Sequence, residues 1–166
     1  MFAKLLLAIV GVVAVGWVVE TALMVWAWRS RNPRALRLIK RFNKYVTNPL
    51  MLRVPGRSGT TAIVHHVGRR SGKPYATPVI AHQSHHGVII PLPYGTEVDW
   101  LHNLQAAGQA VVDLEGRTLT VDEPAVVDID DVISLLPAPM ARTVRFNGAR
   151  EAVLLHVSVP AALASA

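Results

Sequence analysis

The sequence predicts a mainly β domain with short helical inserts. It should be a closed or partly closed barrel of about six antiparallel strands, preceded by an N-terminal transmembrane helix and an amphipathic helix. Three observations lead there. An apolar run without charge extends from Leu5 to Val19. A densely basic segment follows it. From Thr61 onward, short β-patterned runs are separated by brief turns, many containing glycine, and short turns between consecutive strands imply antiparallel hairpins.

A chain of 166 residues allows one modest core beside an anchor. The expected division is residues 1–29 as anchor, 30–60 as basic helix and linker, and 61–166 as barrel. After Glu20 and Thr21 the apolar character resumes from Ala22 to Trp28. As a helix, Leu5 to Trp28 spans roughly 36 Å at about 1.5 Å per residue, enough to cross a hydrocarbon core with some tilt. Glu20 sits off-centre, and Trp26 and Trp28 suit an aromatic belt at the inner end. A cleaved signal peptide is the competing reading, but no small-x-small cleavage site follows. Seven of the 17 basic residues, Arg29, Arg31, Arg34, Arg37, Lys40, Arg41 and Lys44, come directly after the run. The positive-inside rule therefore places a single-pass chain with its C-terminal domain in the cytoplasm.

Asn32-Pro33 reads as an N-cap followed by proline at the first helical position, and Ala35, Leu38, Ile39, Phe42, Tyr45 and Val46 recur at helical spacing. The basic residues would line the opposite side, against anionic headgroups, solvent or an acidic cofactor tail. Asn48-Pro49 should stop this helix, and Pro55 to Gly59 forms a loop. The strands are expected at Thr61–Val67, Tyr75–His82, Val88–Leu92, Gln109–Glu115, Arg117–Glu123 and Glu151–Val159. One helical insert begins near Val98 and ends near Gly108; another lies within Asp128 to Leu136, bounded by Pro137 and Pro139.

Several chemistries find little footing. Without cysteine there are no disulfides or thiolate metal sites. Ser58 and Ser71 lack a Gly-x-Ser-x-Gly context. His65 and His66, adjacent on a strand, face opposite sides and cannot share one ion; His82, His85 and His86 cluster at a turn without acidic ligands, so no metal site is expected. Nucleic acid is not an expected partner either: the basic residues gather beside the apolar run, and aromatics make up 6%. The net charge of +6 points instead to anionic lipid or a polyanionic cofactor.

The turn Gly68-Arg69-Arg70-Ser71-Gly72-Lys73 crowds three cations and a hydroxyl onto one connection, with backbone N–H groups free to meet an anion. A solvated basic turn is the alternative. Downstream come Thr77-Pro78-Val79 on the next strand, the loop Pro93-Tyr94-Gly95, and the helix start Trp100-Leu101-His102-Asn103-Leu104.

This succession, from about Thr61 to Val121, resembles the deazaflavin (F420)-dependent nitroreductase family. That family is a split β-barrel group of flavin and deazaflavin oxidoreductases. Its members carry a Gly-Arg-Lys/Arg-Ser/Thr-Gly turn, an Asn/Thr-Pro-Leu/Val strand and a Trp-x-x-Asn-Leu helix start. The resemblance implies that Arg69, Arg70, Ser71 and Gly72, assisted by Lys73, hold the phosphate region of coenzyme F420. Thr77, Pro78 and Val79 would lie along the ring, and Pro93, Tyr94, Gly95, Trp100 and Asn103 would close the pocket. Trp100 can equally be a core aromatic, and Asn103 a helix-to-loop hydrogen bond.

The chain departs from the family where Tyr75 replaces a basic residue, where Pro93-Tyr94-Gly95 replaces a Ser-Lys-Gly-like loop, and in Pro139 to Arg150, which lacks an aromatic counterpart. Cofactor binding is thus better supported than nitro reduction, with Lys44, Arg53 and Arg57 as further cations. The expected activity is an F420-dependent reductase at the membrane face. It would pass hydride to a hydrophobic quinone, enone or nitro compound, with the proton from water or Tyr94. The alternatives are an FMN-binding split-barrel oxidoreductase and a non-catalytic, membrane-tethered cofactor-binding barrel.

Overall fold

The computed structural model describes residues 11, 15, 21–53 and 60–158. Most of the Leu5 to Val19 run, on which the anchor expectation rests, lies outside the described residues, as does the Pro55 to Gly59 loop with Arg57. Among the described residues no helix is long and apolar enough to cross a membrane.

The domain is mainly β with α: a seven-stranded antiparallel sheet with helices on both sides. Its strands are β1 (Thr61–Val67), β2 (Pro74–Ile80), β3 (His82–Ser84), β4 (Gly87–Pro91), β5 (Gln109–Leu114), β6 (Arg117–Asp128) and β7 (Glu151–Ser158), in the order β2-β1-β5-β6-β7-β4-β3. The expected six become seven because the run Tyr75–His82 is broken. Ala81 is buried and its N–H goes back to Thr60 O, so β2 pairs with β1 while β3 pairs with β4.

These two strands form opposite edges of the sheet, yet a single residue joins them. The sheet must therefore curl until its edges meet. No ladder bridges β2 and β3 among the described residues, so the sheet is not closed into the expected barrel. Pro74 and Pro78 deprive β2 of two donors and suit it to an edge. The expected end of β6 at Glu123-Pro124 is a bulge instead: the register shifts between Asp122 and Ala125, Glu123 takes φ 50°, and pairing with β7 resumes to Asp128.

Inside the curl, Ala62 and Val64 of β1, Ile90, Val112, Val121, Val153 and Leu155 meet Leu101 and Leu104 of helix α4 (Asp99–Ala107). Helix α4 begins after Val98 and ends at Gly108, φ +72°, as expected. On the outer face, Ile89 and Ala152 pack against α5 (Ile129–Val132), the 3-10 turn Ile133–Leu135 and α6 (Ala138–Asn147). Helix α6 was not expected, because Pro137 and Pro139 read as breakers. Pro139 instead occupies the first turn, where no intrahelical N–H is required, and Met140 and Val144 face the core.

The N-terminal segment is helical at residues 21–30 (α1), then forms α2 (Pro33–Phe42), a π-turn at Asn43–Thr47 and α3 (Asn48–Arg53). Asn32 caps α2 by accepting from the N–H groups of Arg34 (3.0 Å) and Ala35 (3.2 Å). Asn48-Pro49 does not stop the helix. The Asn48 N–H reaches back to Asn43 O, and Pro49 falls in the first turn of the next helical piece.

The expected inner and outer faces of α2 are exchanged in part. Leu38, Phe42 and Tyr45 are exposed beside Arg34, Arg37, Arg41 and Lys44, whereas Leu36 is buried and Lys40 and Asn43 turn toward the sheet domain. Trp28 also departs from the belt expected of it with Trp26. It packs edge-on against Tyr94, centroids 5.5 Å apart, while Trp26 is exposed.

Candidate functional site

A cleft of about 970 Å³ lies between the N-terminal helices, β2, the β4–α4 loop and α6. Of the residues expected to form a site, Arg69, Arg70, Ser71, Thr77, Pro78, Val79, Pro93, Tyr94, Gly95, Trp100 and Asn103 all line it. Gly72 and Lys73 do not: they are exposed on the far side of the turn, and Gly72 serves the bend through its φ of +64°. Trp100 packs on the inner core and also lines the cleft. Gly95 turns the loop through an N–H bond to Leu92 O and is covered by Arg31, whose guanidinium pairs with Glu151 at 3.0 Å.

The basic turn is more occupied than its sequence suggests. The Gly68 and Gly72 N–H groups bond Lys73 O and Gly68 O, and the Lys73 N–H bonds the Ser71 hydroxyl. Arg69 donates its N–H (3.1 Å) and Nη1 (2.9 Å) to Asn103 Oδ1, with Asp99 Oδ1 a further 3.7 Å contact. Arg69 therefore clamps the turn to α4. Arg70 is exposed with no ion-pair or hydrogen-bond partner among the described residues, and the Arg70 and Ser71 N–H groups are the ones left without a protein acceptor there. The unpaired donors of the turn beside the cleft are thus Arg70 and these two amides, a set whose chemistry suits an anion.

Asn103, only 6% exposed, is the hub that sequence reading left open. Its Nδ2 lies 3.2 Å from His66 Nδ1, and His66 Nε2 lies 3.0 Å from Thr77 Oγ1. His66 follows Ala62 and Val64 on the inner face of β1, and its ring stacks on Tyr75 at 5.7 Å. Adjacent His65 points outward to Asp113, as strand alternation requires. His66 was considered only as a metal ligand. Its place opposite β2 was the available signal for a different role.

Burial holds the His66 pKa below its usual 6.5, with Asp99 pulling upward and His65 pushing down. Between the lowered folded value and 6.5 the unfolded chain binds more protons, so stability rises with pH across that window. The neutral ring's contribution is complete above about pH 6.5 and is lost as pH falls toward the folded value. The urea midpoint of the wild type should accordingly drop more between about pH 7.5 and about pH 5 than that of His66→Gln. Equal slopes would refute this.

Tyr94, at the cleft wall, accepts from Asn43 Nδ2 at 2.7 Å. Burial raises its pKa, while Asn43 and the neighbouring Trp28 indole act in the opposite direction, so the phenol stays protonated at neutral pH with its own proton available. Trp28 Nε1 is buried with no partner in hydrogen-bond geometry among the described residues. Lys40 reaches Glu97 O; burial lowers its pKa against the pull of Glu97 and Asp99. Lys44 meets Asp99 at 3.4 Å.

Elsewhere, Asp122, Glu123 and His156 bring three ligand atoms within 4.8 Å of one another at the β6 bulge. Asp122 is already held by Ser158 and His156, which keep its carboxyl below the usual range.

No protein-family model matches the chain, and no curated protein matches it. Among solved structures it is similar to that of HutZ, the heme storage protein from Vibrio cholerae. The two share 13% sequence identity at a TM-score of 0.46, with 75% of this chain and 89% of that chain covered.

Proposed function

We propose that this chain is a deazaflavin (F420)-dependent reductase with a split β-barrel, acting on a hydrophobic, electron-poor acceptor such as a quinone, enone or nitro compound. The observation that carries the reading is the Arg69–Asn103 pair. It joins the Gly-Arg-x-Ser-Gly turn to the Trp-x-x-Asn helix, 34 positions apart, on the rim of one cleft. When bound, the cofactor would supply a hydride equivalent from its ring. The protein's part is to bind, orient and exclude water, which requires no nucleophile or dyad. Arg70 and the Arg70 and Ser71 amides would take the phosphate, Lys40, Arg41 and Lys44 would offset further negative charge, and Thr77, Pro78 and Val79 would flank the ring. Tyr94, kept protonated, can deliver the compensating proton.

The chain would work at a membrane, held by its N-terminal run. The outer face of α2, where exposed Leu38 lies with Arg34 and Arg37 away from the cleft, suits an anionic lipid surface, with about 1 kcal/mol per basic residue near it. Since the chain has no cysteine, Leu38→Cys carries a fluorophore at one position. In vesicles containing phosphatidylglycerol that label should be quenched by brominated lipid, and a label at Thr118→Cys should not. Equal quenching of the two would remove the lipid contact from the reading.

The decisive experiment is binding of oxidised F420 and of FMN to the full chain in nanodiscs, followed by fluorescence. F420 should bind at least about tenfold more tightly, a difference of about 1.4 kcal/mol. Tighter FMN binding would favour the flavin alternative. Binding of F420 without turnover over a panel of hydrophobic acceptors would leave a cofactor-holding protein.

A further inference from the structure

The hydrogen bonds around His66 have a direction, and that direction reaches the cleft. Asn103 Oδ1 receives two donors from Arg69, the backbone N–H and Nη1, which fixes the amide with its oxygen toward the turn and its Nδ2 toward His66. An amide nitrogen can only donate, so His66 Nδ1 must be the unprotonated acceptor. A neutral imidazole then carries its proton on Nε2, the atom 3.0 Å from Thr77 Oγ1. Thr77 consequently accepts from His66. Its own hydroxyl proton is not used in that bond, and no other group among the described residues bonds Oγ1. Thr77 lines the cleft on β2.

We infer that the relay Arg69, Asn103, His66 fixes the Thr77 hydroxyl as a hydrogen-bond donor to whatever occupies the cleft, so that the site selects a ligand presenting an unprotonated acceptor, a carbonyl oxygen or pyridine-type ring nitrogen, against β2. A ligand offering only N–H at that position would leave the Thr77 proton without an acceptor and find only the one lone pair of Oγ1 that His66 does not occupy. Asn103 and His66 are positioning residues here; Thr77 is the contact. The inference deepens the cofactor proposal and rests on it for the ligand's identity, but the polarity of the relay belongs to the protein alone.

Two arms separate them. In ¹⁵N-histidine spectra of the full chain at neutral pH, His66 should be the neutral Nε2–H tautomer. The Nδ1–H tautomer or a charged ring overturns the inference whatever binds. Asn103→Asp replaces the donor by an acceptor while still taking both Arg69 bonds, so at a pH where its imidazole is neutral the proton should move to Nδ1, and Thr77 must donate to Nε2. A merely structural role for Asn103 would not switch that signature.

In the binding arm, Thr77→Val should weaken oxidised F420 by about tenfold, Thr77→Ser should bind like wild type, and Asn103→Asp should fall to the Thr77→Val level. If Thr77→Val binds F420 as tightly as wild type while Arg70→Glu does not, the inference is wrong and the cofactor reading stands. If wild type binds neither F420 nor FMN, the cofactor reading falls, and the tautomer decides the inference alone.

Discussion

Arg70→Glu is expected to cut affinity for oxidised F420 by on the order of 100-fold, about 2.7 kcal/mol, with little change in thermal stability. The side chain is exposed and has no partner among the described residues, so its loss orphans nothing inside the protein. In the complex it would supply the charge-assisted bond nearest the two unpaired amides, and a carboxylate there adds repulsion to the loss. The deficit should grow as ionic strength falls, because repulsion at this exposed rim is screened by salt. Arg69→Glu should behave differently. It removes the Nη1 bond to Asn103 and sets a carboxylate near Asp99, so thermal stability should fall together with binding. A fluorescence titration with a melting curve for each variant separates the two arginines. Unchanged F420 affinity in Arg70→Glu would end the proposal that this bend grips the cofactor.

Neither arginine's role is legible in the sequence, since both follow Gly68 and precede Ser71. What distinguishes them is Asn103, 34 positions along, and whether that amide meets the turn depends on how α4 docks in the curled sheet. Local signals served well where local physics decides: β1 keeps its expected bounds, and Gly108 ends α4 in a left-handed conformation. They misled where a tertiary partner changes the outcome. Periodicity places Lys40 outward and Leu38 and Phe42 inward, but Glu97 O draws Lys40 in, the Tyr94 hydroxyl holds Asn43 beside it, and Leu38 and Phe42 are left exposed. Pro49 and Pro139 read as stops in the sequence. Each sits in a first helical turn, where a missing N–H is harmless.

Gly87→Ala should be the most damaging single methyl in the domain, costing about 4 kcal/mol or more, read as a fall in the urea midpoint. Gly87 opens β4 at φ +128°, which an L side chain rarely adopts, and a Cβ there would stand 2.1 Å from the carbonyl oxygen of Leu155. That oxygen belongs to β7, whose Leu155 pairs with Val88, so neither backbone can move without parting the two strands. The three-residue β3 depends on β4 for its ladder, and β4 leads into the loop carrying Tyr94. On the proposed function, a variant that still folds should therefore lose acceptor reduction along with stability. Gly72→Ala is the control: φ is +64° with nothing within 4 Å of the added carbon, so only the left-handed backbone opposes it, at about 1 kcal/mol. If the two alanines destabilise equally, conformational strain alone governs both glycines, and the close approach of β4 to β7 is not what requires Gly87.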